Sequence, residues 1–388
     1  MYTDNVIPNE GMSPKPPLQF GRTLRIFFFI LLGFLLGYGL RSLIRMSETN
    51  IQLLSPLLSD EKEEKPTDPY PAYSFPALRD ARLTGSAFTV HDVIGSDPAY
   101  TSYLISWEVP NFTTNKKEKV TGQLNLPTGQ GPFPIIVMLR GYVEREDYTT
   151  GIGTKNAAGA FARNGYITIA PDFMGYGGSD PETSDVLLAR FQRPVTVLQL
   201  LKNLESVELR RDASLPELSE GVPAGLGPDV TKTVFASDRI GIWGHSNGGQ
   251  IALSTLEITG KSLPTTLWAP VSQTFPYSVL YFTNDLDDGG AYLRNQLYTF
   301  EEVLNHDVRD YSILSEPNRI LAPIQIHQGT SDDAVPLSWS QHLLEVLEEA
   351  TVSAELFVYP GATHDLQPAS NWDTAVRRDL QFFAKYLR

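Results

Sequence analysis

Two kinds of apolar run divide the 388-residue chain. The first is one uncharged block of fifteen residues, Ile26–Leu40 (IFFFILLGFLLGYGL), with Arg22 and Arg25 before it and Arg41 and Arg45 after it. As a helix the block measures ~22 Å, against ~30 Å for the hydrocarbon core of a bilayer. Leu43 and Ile44 extend it past Arg41, and arginines at both ends can snorkel. A transmembrane helix is therefore expected over 26–44, behind an N-terminal tail over 1–25. The block stands apart from the later globular pattern, which speaks against a core helix. No small-x-small cleavage site follows it, which speaks against a cleaved signal peptide. Lys15, Arg22 and Arg25 outnumber Arg41 and Arg45, so the tail is expected in the cytoplasm and the rest of the chain outside it. Gly33 and Gly37 make a GxxxG, which in a membrane helix is mostly compositional.

Residues 45–76 read as a linker. Its centre, SDEKEEKPTDPYP from Ser59 to Pro71, is charged and proline-rich with no apolar period. The second regime fills 77–388. Short apolar runs, predicted as strands, alternate with helical patterns. The strands are YLISWEV from Tyr103, KVTGQLNLP from Lys119, PIIVML from Pro134, YITIAPD from Tyr166, RIGIWGH from Arg239, TTLWAP from Thr265, PIQIHQG from Pro323 and AELFVYPG from Ala354. Several are apolar throughout, as in parallel strands covered on both faces. Helices are predicted in NAAGAFARNG from Asn156, IALSTLEITG from Ile251, SWSQHLLEVLEEA from Ser338 and TAVRRDLQFFAKYLR from Thr374. Two insertions interrupt the alternation: Leu188–Thr233, with a helix and a Pro/Gly-rich loop, and Ser272–Leu314, rich in tyrosine and phenylalanine. The expected class is α/β: a mostly parallel central sheet, helices on both faces, and cap insertions.

Composition narrows the function. The net charge of −14 argues against a nucleic-acid partner, whose phosphates it would repel. Cysteine is absent, so disulfides, a thiol nucleophile and cysteine-held metals are excluded. Six histidines without HExxH argue against a zinc protease, and GxxxxGK[ST] does not occur. The acidic run Asn284-Asp285-Leu286-Asp287-Asp288-Gly289 misses the register of a calcium loop and reads as a surface turn. No cofactor or metal is called for, and no pattern specifies an oligomer.

Gly244-His245-Ser246-Asn247-Gly248 is a G-x-S-x-G between a strand and a helix, the nucleophile elbow of α/β-hydrolases. Both glycines let the chain reverse without a Cβ clash and hold the serine hydroxyl above the sheet. Serine needs a base beside it, and in this fold the order is Ser, acid, His. Of the downstream histidines, His327 falls in a strand, His342 in a helix and His306 in the aromatic insertion. His364 lies in a loop, GATHD, before the last helix, where an imidazole is free to act. The acid should follow the preceding strand, where Asp332 and Asp333 compete; Asp332 has the D-x-x-V-P spacing common there in α/β-hydrolases. Ser246, Asp332 and His364 are the expected triad. The oxyanion hole is expected from the N–H groups of Asn247 and, beyond Arg140-Gly141, Tyr142. In the second insertion Phe275, Tyr277, Tyr281 and Phe282 are candidates for substrate binding, and a plain cap core is the competing reading.

Together GHSNGG, DDAVP and YPGATH resemble the catalytic domain of the prolyl oligopeptidase family, which includes dipeptidyl and acylaminoacyl peptidases. PDFMGYGGSD from Pro171 is similar to the PDxRGxGxS segment of those enzymes. The resemblance covers roughly 103–388 and is nearest to a bacterial subgroup without a propeller. Two departures stand out. Arg140 replaces the usual histidine before the oxyanion glycine. Fewer than a hundred residues, with no repeat, separate the apolar block from the hydrolase pattern, so the family's size-filtering propeller is not expected there. The resemblance implies a serine hydrolase that cleaves a small peptide, or alternatively a carboxylesterase of the same fold, here behind the membrane anchor expected over 26–44. A catalytically silent, anchored binding module is the reading from another class, and the intact Ser246, Asp332 and His364 count against it.

Overall fold

The computed structural model describes residues 68–207, 209–211, 234–283, 286 and 288–388. The helix expected over 26–44 lies outside the described residues. Among those described, no helix is long and apolar enough to cross a membrane.

The apolar runs become strands because each can bury both faces. In β4 (Phe133–Leu139), Ile135, Val137 and Leu139 enter one hydrophobic cluster, while Ile136 and Met138 enter a second. Alternation at period two thus gives the sheet two cores. The other strands, in chain order, are β1 (Phe88–Asp97), β2 (Tyr100–Asn111), β3 (Lys116–Pro127), β5 (Ile167–Pro171), β6 (Leu209–Arg211), β7 (Phe235–His245), β8 (Thr265–Trp268), β9 (Ile324–Gly329) and β10 (Ala354–Tyr359). Among the described residues they form one sheet in the order β10-β9-β8-β7-β4-β5-β3-β2-β1-β6. From β10 to β5 all neighbours are parallel; β5-β3, β3-β2 and β2-β1 are antiparallel.

The helices are α1 (Phe75–Asp80), α2 (Lys155–Arg163), α3 (Val186–Leu204), α4 (Asn247–Thr259), α5 (Tyr277–Leu280), α6 (Ala291–Tyr298), α7 (Leu337–Glu349) and α8 (Ala369–Leu387). Helices α3, α4 and α7 pack into the first cluster, α2 and α8 into the second. This is the α/β-hydrolase arrangement. After β5 the chain crosses to the other side of β4, so the carboxyl ends of β4 and β7 border the crevice at the switch point, where ligands bind in open α/β sheets.

Three expectations change. The linker placed over 45–76 ends earlier, because the folded unit begins at Asp68 and Tyr70, Tyr73 and Phe75 are buried in it. Ser74 caps α1 by accepting from the Ala77 N–H, and Pro76 sits in the first turn, where it costs no hydrogen bond. The helix assigned to the first insertion is part of the core. Asp185 caps α3 through the Leu187 and Leu188 N–H groups, and Leu188, Phe191, Val195, Val197, Leu200 and Leu204 are buried. Residues 212–233 of that insertion lie outside the described residues. Finally, β1 and β6 were not anticipated: β1 carries His91, Asp92 and Gly95 and bulges between Val90 and Val93 and between Val93 and Gly95, so its alternation is broken.

Candidate active site

Ser246 sits between β7 and α4 with φ 56° and ψ −121°, an unfavourable conformation for a residue with a Cβ. The surroundings enforce it. A Cβ on Gly244 would lie 2.7 Å from the Gly248 carbonyl oxygen, and one on Gly248 would lie 1.9 Å from the Leu139 carbonyl oxygen. The turn therefore presses against the end of β4 with no room for side chains at either glycine. Such strain at a single turn is a mark of functional sites.

The His364 ring lies in the loop after β10, and its Nδ1 is 2.9 Å from Asp332 Oδ2 and 3.1 Å from Oδ1. A carboxylate only accepts, so Nδ1 donates and the neutral ring keeps Nε2 as its acceptor. Asp332 is held from three further directions: Ala334 and Val335 donate their N–H groups to Oδ1 at 3.0 and 2.8 Å, and Gln328 Nε2 donates to Oδ2 at 2.7 Å. Burial pushes the carboxyl up, but the hydrogen bond from His364 and the two backbone donors outweigh it, and the net shift is downward. Asp333 is exposed.

Backbone hydrogen bonds lash the three loops together beyond the strand ends. Ser246 N–H donates to Trp268 O (2.9 Å), Ala269 N–H to His327 O (2.8 Å), Thr330 N–H to Tyr359 O (3.0 Å) and Ser331 N–H to Ala362 O (2.9 Å). The ring closes where His245 Nε2 donates to His364 O at 3.1 Å, with the two imidazoles 4.6 Å apart. His245, next to the serine in sequence, thus packs directly on His364. Burial, then the His364 charge, push the His245 ring down to about 4, so it is neutral at pH 7. The hydrogen bonds made by the His364 ring among the described residues both go to Asp332. The other downstream histidines are engaged elsewhere: His327 is buried against Tyr359 and Asp379, and His306 pairs with Asp68.

Gly141 brings the loop after β4 against the serine, since a Cβ there would be 3.0 Å from Ser246 Cβ. Asn247 opens α4, so its N–H has no intrahelical acceptor. The Tyr142 side chain is 61% exposed and its hydroxyl donates to Glu144. Arg140, the departure noted in the sequence, is buried under this loop. Its guanidinium donates to Gly141 O at 2.9 Å and Asp172 O at 3.0 Å, and lies 4.0 Å from the Tyr176 ring and 4.6 Å from the Tyr148 ring. A planar cation stacked on aromatic faces fixes the carbonyl orientation of Gly141, a role a lysine could not copy.

The aromatic candidates divide. Phe275 is 3% exposed and packs edge-on against Phe191 and Phe300, so it belongs to the interior rather than to a substrate wall. The reason is that Phe191 of α3, Phe300 and Tyr311 already form an apolar pit beneath this insertion. Tyr277 is 57% exposed. Tyr281 and Phe282 pack on Trp339, with centroids 4.7 and 6.2 Å away. Phe282 also joins Val271 and Val335; Val271 donates to the Ser246 carbonyl, and Val335 follows Asp332 by three residues. This wall therefore adjoins the site. Asp288 accepts from the Gly290 and Tyr292 N–H groups; Asn284, Asp285 and Asp287 lie outside the described residues. Gln328 was missed, though its polarity within an apolar strand was a visible signal.

Residues 230–388 match the family model described as Prolyl oligopeptidase family. A Schizosaccharomyces pombe protein named as a dipeptidyl aminopeptidase is 29% identical over 143 residues, which are 37% of this chain and 16% of that protein. The chain thus spans about a sixth of that relative's length. Among solved structures, a Mycobacterium tuberculosis puromycin-hydrolyzing peptidase aligns with TM-score 0.51 and 14% identity over 75% of this chain and 40% of its own. An acetyl xylan esterase from Paenibacillus sp. R4 aligns with TM-score 0.54 and 15% identity over 86% of this chain and 98% of its own. At these identities the two structures speak for the fold.

Proposed function

We infer that this chain, whose residues 230–388 belong to the prolyl oligopeptidase family, is a serine hydrolase that works through an acyl-enzyme. The observation that carries the reading is the strained Ser246 elbow in one lashed ring with the His364–Asp332 pair. Ser246 Oγ attacks the scissile carbonyl carbon while His364 Nε2 takes the hydroxyl proton. Asp332 holds the imidazole in the Nδ1–H tautomer and stabilises the imidazolium without itself being protonated. The carbonyl oxygen gains charge as the tetrahedral adduct forms, and the N–H groups of Asn247 and Tyr142 receive it. The imidazolium returns its proton to the leaving amine or alkoxide, and the bond to the leaving group breaks. Water, activated by the same imidazole, then releases the acid and restores Ser246.

The favoured substrate is a small peptide, on the analogy of the family. An ester would pass through the same steps, and the fold is shared with esterases. The test is labelling with a fluorophosphonate probe, followed by a panel of aminoacyl anilides and acyl esters. Wild type is expected to label, and Ser246→Ala to lose both labelling and turnover, the latter on the order of a millionfold. A silent binding module would not label at all.

A further inference from the structure

Helix α3 is apolar along most of its length, yet Arg190 and Arg193, one turn apart, project from it toward the elbow helix. Together with Asn247 and Gln250 of α4 they line a narrow slot of about 20 Å³, walled on the other side by Phe75 and Tyr311. No carboxylate lines this slot among the described residues. Arg190 donates to Ser278 Oγ at 3.0 Å and has no acidic partner among the described residues. Arg193 reaches Glu182 only at 3.4 Å, and Glu182 is already engaged by Arg145. One carboxylate thus serves two arginines, and a third has none. In a chain of net charge −14 this leaves a local excess of positive charge beside the residue that follows Ser246. Burial and the Arg193 charge push the Arg190 guanidinium down to about 9, and it stays a cation at neutral pH. A half-buried cation with no acidic partner among the described residues is stabilised by a ligand that supplies one. The slot has room for about one water molecule, enough for a carboxylate oxygen and too small for a ring.

We propose that Arg190, supported by Arg193, binds a carboxylate of the substrate in this slot and so selects anionic substrates over neutral isosteres. The proposal rests on the serine-hydrolase reading and names a recognition element of the same site. A guanidinium N–H donates to the carboxylate oxygen that enters the slot, and a hydrogen bond to a charged group corresponds to ~10–100-fold in binding. Two sources of the carboxylate are chemically equivalent here: the C-terminus of a short peptide, or an acidic group on the acyl side.

The experiment compares kcat/KM for two substrate pairs. One pair differs by a free or an amidated peptide C-terminus, the other by a succinyl or a butyryl ester. Wild type should prefer the charged member of one pair by ~10–100-fold, and Arg190→Gln should reduce that ratio most of the way to one. The pair that responds identifies the source. No charged preference in either pair, or a preference that survives Arg190→Gln, overturns the proposal. Should the variant fail to fold, competition in the wild type takes its place. Butyrate should inhibit neutral-ester hydrolysis more strongly than butyramide, and less so as salt rises; equal inhibition by the two overturns the proposal. Fluorophosphonate labelling is read in parallel: its absence sinks the hydrolase reading itself, whereas labelling with no charge preference sinks only the Arg190 assignment.

Discussion

Asp332 and Asp333 are neighbours of one chemical type placed in opposite environments. Asp332 is enclosed and accepts from His364, Gln328 and two backbone N–H groups, while Asp333 faces water. Asp332→Asn is therefore expected to lower kcat by up to ~10⁴-fold through the wrong imidazole tautomer, and Asp333→Asn to leave it within a few-fold. Steady-state kinetics of the two variants decide, and the reverse order would mean the other carboxylate orients the base. His245 carries a pH prediction. Its folded-state ring titrates near 4 against 6.5 when unperturbed, so between those values the unfolded chain binds the extra proton. Stability then rises with pH across that window and is lost as pH falls through it. The lowered Asp332 carboxyl acts in the same direction, further into the acid. Urea unfolding from pH 7 to pH 4 should show a shallower decline for His245→Gln than for wild type; parallel declines would reject the assignment. The Ser246 turn and the pairing of His364 with Asp332 were legible in the sequence because each residue follows a strand whose apolar run is local. The surroundings of Arg140 were not, since Tyr148, Asp172 and Tyr176 reach it only through the folded loop.

The segment from Asp68 to Asp80 shows how an element can be misread when its neighbours are polar. The charged, proline-rich stretch before it suggested a spacer, but Tyr70, Tyr73, Phe75 and Leu78 are all buried, and the Tyr70 hydroxyl donates to Asp185, the residue that caps α3, at 2.6 Å. Burying such a side chain is worth roughly 1.5–3 kcal/mol, so four of them exceed half the stability of many domains. Removing residues 1–58 should leave a folded, active enzyme, whereas removing residues 1–80 should abolish the cooperative thermal transition. Calorimetry of the two truncations checks this, and a stable protein lacking 1–80 would return the segment to the linker. The eight runs read as strands are strands, since unbroken apolar runs leave little choice. The strand β1 escaped notice because its bulges put polar residues where alternation wants apolar ones, and α3 looked like a cap because only its tertiary packing reveals it as core.

At the scale of the whole molecule, we propose from the uncharged block over 26–40 that the enzyme is tethered to a membrane with its catalytic unit outside the cytoplasm. In sealed right-side-out vesicles, added protease should then reach residues 68–388; protection of that unit would reverse the orientation. The loops after β7, β8, β9 and β10 are bound to one another by main-chain bonds, from Ser246–Trp268 through Ala269–His327 to Ser331–Ala362, and by the His245 ring donating to the His364 carbonyl. None of those bonds calls on the stretch between Ser272 and Leu314. Evolution is thus free to rewrite the exposed part of that stretch, around Tyr292 and Asn295, by insertion, deletion or transplant, while Phe275, Phe300 and Tyr311 stay in the core and the chemistry beneath is inherited unchanged. A protein engineer has the same freedom: a foreign cap spliced in there would retarget the enzyme without retuning its reactive centre.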